Sequence, residues 1–177
     1  SYGGGNLAAY TGSADPTVKS PIVKLYGGTV NSNLYGGGLG STAIVTGNTF
    51  VEMEGGTVGN DVFGGGSEAN VTGSVTVNIK GGTVTNDVYG GGALGDVGTY
   101  TYDDDTKEYT WDKIGGQESG DCSVEITGGT VKGHVFGAGK GEENTFECEK
   151  AMVRTTSVSI SAGTVEKNVY GGGEVGR

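Results

Sequence analysis

The sequence is poor in basic residues and in long apolar runs. Its 11 Lys and Arg face 21 Asp and Glu, which gives a formal net charge of −10. We therefore expect no nucleic-acid partner, because phosphate binding needs a basic patch. No apolar run approaches the roughly 20 residues of a membrane-spanning helix, so we expect no membrane insertion in this segment. No signal peptide is visible, and we expect any export signal to lie outside the segment.

Cysteine, histidine and arginine are also scarce. Cys122 and Cys148 do not form a metal-type cluster. They could form one disulfide, which would suit an exported protein, or remain two unlinked thiols. His134 is the single histidine, and Arg154 and Arg177 are the only arginines. These counts do not support a Ser-His-Asp arrangement or the basic and acidic cluster of a polysaccharide lyase. We predict no metal, no cofactor and no enzymatic activity.

Glycine is abundant, with 39 of 177 residues, and proline is rare, with 2. The glycines are periodic rather than scattered. One phrase recurs, in which Gly-Gly-Thr-Val is followed by three variable residues, an aliphatic residue, an aromatic residue and three glycines. Its copies are 27–38, 55–66, 81–92, 128–139 and 162–173, and residues 2–5 match the tail of a sixth copy. Internal repeats of this length are typical of stacked repeat architectures.

An alternating stretch precedes each phrase, as in Thr76-Val77-Asn78-Ile79. Period-2 alternation indicates a strand with one buried face. After the glycines, Val84 and Val88 occupy two further apolar positions, separated by Asn86 and Asp87. Asn, Asp and Gly tolerate the left-handed backbone of a sharp corner, so each unit is interpreted as strand, corner, strand, corner, strand. We expect the glycine triplet to form a tight third corner.

The repeat length predicts the fold. Thr29, Thr57 and Thr83 are 28 and 26 residues apart, which fits one coil of a β-helix. We predict an all-β, right-handed parallel β-helix, or β-solenoid, with three short strands per coil and about five to six coils. Right-handedness follows from the usual hand of parallel crossovers. Residues 1–177 would form a single segment of a longer array.

Two longer spacings indicate insertions. Residues 97–113 contain Tyr100, Tyr102, Tyr109 and Trp111 on either side of an acidic turn, and they are predicted to form a β-hairpin. If Tyr102 faces Tyr109, all four rings share one hairpin face. A second, shorter insertion is predicted at 140–155. Acidic residues gather in both, but their spacing matches no Ca²⁺ loop, and solvated charge is the simpler interpretation.

The phrase Gly-Gly-Thr-Val-x-x-x-Val-Tyr-Gly-Gly-Gly, as at 81–92, resembles the repeats of large, surface-exposed, adhesin-like proteins of gut bacteria. The resemblance covers nearly the whole chain outside the insertions. It implies a bacterial exported protein at the cell surface or in the extracellular space, and it supplies no catalytic residues.

The repeats also align polar and aromatic side chains. The aromatic positions predict a structural ladder, with sugar stacking as the alternative; they are Tyr2, Tyr35, Phe63, Tyr89, Phe136 and Tyr170. Lys24 would lie beside Glu52, and Glu54 beside Lys80, on a solvated face. The alternative for Glu52 and Glu54 is a pair of catalytic carboxylates. His134 occupies a corner position and is expected to be a turn residue.

Three functions follow from these patterns. The first is a non-enzymatic stalk or adhesin-like display rod. The second is a module that binds glycans or host and cell-surface proteins through Tyr100, Tyr102, Tyr109 and Trp111, if that hairpin face is exposed rather than packed on the repeats. The third, which the residue counts above do not support, is a polysaccharide lyase or hydrolase. Open strand edges at the ends of the array also predict weak end-to-end self-association.

Overall fold

A computed structural model describes residues 1–13, 15, 17–142 and 149–175. In these residues the chain is all-β and contains no helix, which confirms the predicted class. The strands in chain order are β1 (Tyr10–Thr11), β2 (Ile22–Leu25), β3 (Thr29–Val30), β4 (Leu34–Tyr35), β5 (Val45–Thr46), β6 (Thr49–Met53), β7 (Thr57–Val58), β8 (Val62–Phe63), β9 (Val75–Ile79), β10 (Thr83–Val84), β11 (Val88–Tyr89), β12 (Tyr100–Asp103), β13 (Glu108–Trp111), β14 (Lys113–Ile114), β15 (Gln117–Glu118), β16 (Asp121–Val131), β17 (Val135–Phe136), β18 (Thr155–Val165) and β19 (Val169–Tyr170).

The largest sheet has eight strands, and its pairs are all parallel. One half runs in the order β2, β6, β9, β16 and β18, so that the alternating stretches of successive repeats are neighbours. The other half runs in the order β3, β7, β10 and β16, and pairs the Thr-Val dipeptides. β16 and β18 pass through both halves as strands of 11 residues.

A second sheet contains β4, β8, β11, β17 and β19, again with parallel pairs. Its registers join Leu34 to Val62 and Tyr35 to Phe63, and the later repeats follow the same pattern. The parallel strands predicted from the repeat are therefore confirmed. Because each repeat adds strands to both sheets in the same register, equivalent residues of successive repeats lie side by side.

A fourth line of pairing was not predicted. β1 pairs parallel with β5, and isolated bridges join Val45 to Val71 and Val71 to Val97. The three valines have no exposed surface. This line follows the glycine triplet and faces the same apolar core as the two larger sheets. The predicted three strands per unit therefore omit one paired segment, because only one to two residues of each repeat take part in it.

The core is made of the aliphatic positions that the phrase repeats. The sheets curl around one cluster of buried Val, Ile, Leu and Met side chains. Val77, Ile79, Val84 and Val88 of a single repeat all have 0% exposed surface. Since every repeat contributes the same four positions, each one buries its apolar side chains mainly against its neighbours.

The glycines do two different things. The second glycine of each phrase has a positive φ, as Gly56 does at 80°, and this is the left-handed conformation that Gly adopts without strain. The triplet glycines lie outside that region and instead allow close approach of backbones. A Cβ on Gly37 would lie 2.6 Å from the amide nitrogen of Gly66 in the next repeat.

The corner residues differ from the prediction. Left-handed backbone was expected at the Asn and Asp corners, but the described non-Gly residues with positive φ are Lys107 and Ala151. The corner side chains instead accept a hydrogen bond from the backbone of the next repeat. Oδ1 of Asp61 accepts from the amide of Asp87 at 3.1 Å, and Nδ1 of His134 accepts from the amide of Asn168 at 3.2 Å. Acceptor side chains are therefore what this position requires.

Candidate functional site

A β-hairpin projects from the repeats after Gly98. β12 and β13 pair antiparallel, with Tyr100 opposite Trp111 and Tyr102 opposite Tyr109. In the turn, Oδ1 of Asp103 accepts from the amides of Thr106 and Asp105 at 3.0 and 2.8 Å. These backbone donors lower the pKa of the Asp103 carboxyl. The turn thus supplies its own donors to the Asp103 carboxylate.

The hairpin boundaries are narrower than the predicted 97–113. Val97 pairs with Val71 and so belongs to the parallel strands of the repeats, which we call the wall. Lys113 begins β14, which forms a second, unpredicted hairpin with β15. The predicted insertion at 140–155 falls partly on residues 143–148, which lie outside the described residues. Its final residue, Thr155, already begins β18.

The four hairpin aromatic residues form one connected cluster. Ring centroids lie 4.9 Å apart for Tyr100 and Trp111, 5.4 Å for Tyr100 and Tyr109, and 4.7 Å for Tyr102 and Tyr109. The rings are tilted or edge-on to one another, as aromatic pairs prefer. Each ring therefore contacts at least one other ring of the cluster.

The cluster has an inner and an outer half. Trp111 is half-buried, and its ring edge lies over Gly98 and Gly120, where an added Cβ would come within 2.7 Å of its Cζ3. Tyr102 and Tyr109, by contrast, are 41% and 37% exposed. The sequence left open whether this face is exposed or packed on the repeats. In the structure the Trp111 half is packed on the repeats, and the half with Tyr102 and Tyr109 is exposed.

Asp96 connects the hairpin to the wall. Its Oδ2 accepts from the Tyr100 hydroxyl at 3.1 Å, and its Oδ1 accepts from the amide of Met152 at 2.9 Å. Burial raises the pKa of Asp96. Burial, with the nearby Asp96 charge, also raises the pKa of Tyr100 to about 12. Tyr100 is therefore a neutral donor near pH 7.

Arg154, which sequence analysis did not select, ties the end of the second hairpin to the start of β16. Its guanidinium donates to both carboxylate oxygens of Asp121 at 2.7 and 2.8 Å, to Oε2 of Glu118 at 2.5 Å and to the carbonyl of Ser119 at 3.0 Å. Both bonds to Asp121 come from Nη2, and hydrogen bonds between charged partners are stronger than neutral ones. The only sequence signal was that Arg154 is one of two arginines in an acidic chain.

The aromatic residues of the repeats form a second, separate stack. Successive centroids lie 4.7 to 4.9 Å apart with interplanar angles of 1 to 10°, in the order Tyr2, Tyr35, Phe63, Tyr89, Phe136 and Tyr170. Tyr35, Phe63, Tyr89 and Phe136 are buried. This burial leaves the inner rings no face on which a sugar could stack.

The Glu52 and Glu54 interpretations need a correction. Glu52 was placed on a solvated face, yet it is 5% exposed. Its carboxylate lies 2.6 Å from Nζ of Lys24 and 2.9 Å from Nζ of Lys80, the lysine that had been assigned to Glu54. Hydrogen bonds from Lys24 and Lys80 lower the pKa of Glu52 to about 2. A general acid requires the opposite shift.

The remaining candidates carry little chemistry. Burial raises the pKa of the Cys122 thiol; its predicted disulfide partner, Cys148, lies outside the described residues, so that disulfide stays a prediction. Within the described ranges, no three His, Cys, Asp or Glu side chains are grouped to hold a metal ion. In the same residues, no helix is long and apolar enough to cross a membrane.

Comparison with known proteins gives no relative. No protein-family model matches the chain, and neither does a curated protein or a solved structure.

Proposed function

We propose that this chain is a segment of a right-handed parallel β-solenoid, and that it serves as a non-enzymatic rod in an adhesin-like protein of a bacterial surface or of the extracellular space. The observation that supports the rod most directly is the in-register parallel pairing of equivalent residues through five copies of the repeat. The continuous aromatic stack follows the same axis. Strand pairing and ring stacking in one direction resist bending of the rod.

Repeat duplication tests the rod. A second copy of residues 57–82 inserted after Gly82 preserves the phrase at both junctions. A solenoid accommodates the extra unit because each repeat contacts only its neighbours. Urea unfolding should remain one transition with a larger m-value, since m increases with the area exposed on unfolding. An inserted copy that stays protease-sensitive, or a chain that no longer folds, would contradict the proposal.

The second candidate function is glycan or glycoprotein binding by the hairpin. It is favoured by Tyr102 and Tyr109, two large aromatic side chains exposed on a projecting element. Aromatic rings offer an apolar face and a polar edge to a partner. A glycan array probed with the chain and with a Tyr102→Ala/Tyr109→Ala variant tests this function. Loss of binding in the variant would support this function. Absence of binding by both proteins would rule it out.

End-to-end association is the proposed mode of self-interaction. Within the described residues β18 pairs on one edge alone, and Ile160, Val169 and Tyr170 of the last repeat are 41%, 46% and 42% exposed. An open strand edge with apolar side chains is a template for another strand. Sedimentation velocity should show concentration-dependent association. A monomer at every concentration would contradict it.

A further inference from the structure

A groove runs along the base of the hairpin, on the outside of the wall. It has a volume of about 430 Å³ and is lined by Ile44, Asn70, Thr72, Asp96, Gly98, Thr99 and Tyr100. This volume lies within the roughly 300–1,000 Å³ of small-ligand sites. A smaller cavity of about 280 Å³ adjoins it and shares Asn70 and Asp96. Together they form an elongated site.

The floor of the groove comes from three successive repeats. Ile44, Asn70 and Asp96 each precede one of the buried residues Val45, Val71 and Val97, which pair in register. Side chains alternate between the faces of a strand, so these three positions share the outer face. The three positions of the groove floor therefore lie one strand spacing apart.

One side of the groove is formed by the ring of Tyr100, which is already held in position. The Tyr100 hydroxyl is held by Asp96, and the ring is supported from the hairpin side by Trp111 at 4.9 Å. Asp96 is itself fixed, since its amide donates to Oδ1 of Asn70 at 2.9 Å. Groups already held in the binding geometry lose little conformational entropy when a ligand arrives.

The floor has two hydrogen-bond donors for which the described part of the chain offers no acceptor. Oδ1 of Asn70 is used by Asp96, while its Nδ2 has no acceptor in the described part of the chain. Oγ1 of Thr72 accepts from the amide of Gly47 at 3.1 Å, which leaves the hydroxyl proton to be donated. An aromatic wall with a few fixed polar groups suits a ligand that has both apolar and hydroxyl-bearing faces.

The charge around the groove selects the ligand further. Glu68 and Glu149 lie in the adjoining cavity, beside Lys150, and the chain as a whole has a net charge of −10. An acidic surface disfavours sulfated, sialylated or phosphorylated ligands by repulsion. Sugars have apolar C–H faces that stack on rings and hydroxyls that accept from amides, and neutral ones do not meet this repulsion.

We propose that this groove binds a neutral oligosaccharide that crosses three repeats, with Tyr100 as its stacking wall and Asn70 and Thr72 as donors to its hydroxyls. The proposal rests on the glycan-binding candidate function and extends that site from the hairpin tip to the wall.

Binding can be followed through Trp111, the single tryptophan of the chain, which contacts Tyr100. The probes are neutral hexasaccharides of glucose, mannose, xylose and N-acetylglucosamine, with sialyllactose and a sulfated hexasaccharide for comparison. Fluorescence titration is repeated by calorimetry. Asn70→Ala and Thr72→Val change the floor, and Asn31→Ala and Thr85→Val are matched substitutions at exposed positions outside the groove. Unfolding midpoints establish that each variant folds.

We expect at least one neutral hexasaccharide to bind, and each floor variant to weaken it about five- to tenfold, the effect of one lost hydrogen bond, while the matched variants bind as the parent does. If Tyr102→Ala/Tyr109→Ala abolishes binding but the floor variants do not, the proposal that the groove binds the sugar is overturned, and binding by the hairpin stands. If the parent chain binds none of the probes, both the groove proposal and the glycan-binding function of the hairpin are overturned. Equal affinity for the anionic probes overturns the neutral assignment.

Discussion

The Tyr100 hydroxyl donates to the Asp96 carboxylate across the junction between the hairpin and the wall, at 3.1 Å. Tyr100 belongs to the first strand of the hairpin, whereas Asp96 precedes the buried Val97 of the wall. This hydrogen bond thus connects an inserted element to a repetitive scaffold. Because Asp96 also accepts from the amide of Met152, the same carboxylate connects two successive repeats.

Loss of that hydroxyl should loosen the hairpin. In Tyr100→Phe, Oδ2 of Asp96 loses its donor, and we expect a destabilisation of about 1 kcal/mol with greater acrylamide quenching of Trp111. Tyr109→Phe is the control, because no partner of its hydroxyl is found among the described residues. Equal quenching in the two variants would show that Asp96 does not anchor the hairpin.

Glu52 should make the fold sensitive to acid. Its folded-state pKa of about 2 lies below the ordinary 4.5, because Lys24 and Lys80 donate to the carboxylate. The stabilisation is therefore present above pH 4.5 and is lost as the pH falls from there towards 2. In Glu52→Gln the urea midpoint should depend less on pH across that window.

The control for this experiment is Glu54→Gln, which removes an exposed carboxylate two residues along the chain. It should retain the acid sensitivity of the parent. If Glu52→Gln retains it as well, the ion pairs with the two lysines do not contribute to the acid response.

The aromatic stack should tolerate a hydroxyl but not a gap. Phe63 is 1% exposed between Tyr35 and Tyr89, at 4.8 and 4.7 Å. Phe63→Ala should cost about 3–5 kcal/mol through the cavity that it leaves. Phe63→Tyr should cost much less, because Tyr35 and Tyr89 on either side already hold a ring with a hydroxyl group in the same stack. Thermal unfolding that ranks the two variants equally would contradict this account.

A triplet glycine packed on a neighbouring repeat should reject a methyl group, whereas Gly27, the phrase-initial glycine of the first repeat, should accept one. A Cβ on Gly37 would meet the backbone of Gly66, while one on Gly27 would meet nothing within 4 Å. Gly37→Ala should destabilise by about 1–3 kcal/mol, and Gly27→Ala should change stability by less than about 1 kcal/mol. Urea unfolding of both variants measures the difference. Similar midpoints would mean that backbone contact does not explain the triplet.

The sequence predicted the all-β class and the parallel strands because the repeat itself carries the register. Val23, Val51 and Val77 occur at the same place in each copy, and a fixed spacing leaves one way to align neighbouring strands. The line through Val45, Val71 and Val97 was missed because its flanking residues vary from copy to copy.

The rest depends on contacts that the repeat does not encode. Arg154 meets Glu118 and Asp121 across an insertion, where no second copy exists to set the register. The burial of Glu52 depends on two lysines converging from either side of its strand. The four hairpin rings could be named from the sequence, but which of them pack depends on the flat surface at Gly98 and Gly120.

The distance between the ends of the threonine column tests the rod most directly. Thr29→Cys and Thr164→Cys are spin-labelled in a Cys148→Ser background, with the buried Cys122 unchanged. The column passes through Thr57, Thr83 and Thr130, so four strand spacings of about 4.8 Å give a backbone separation of about 19 Å. We expect a narrow distribution near this value, which should lengthen by one spacing when residues 57–82 are duplicated. A broad distribution, or no change on duplication, would contradict it.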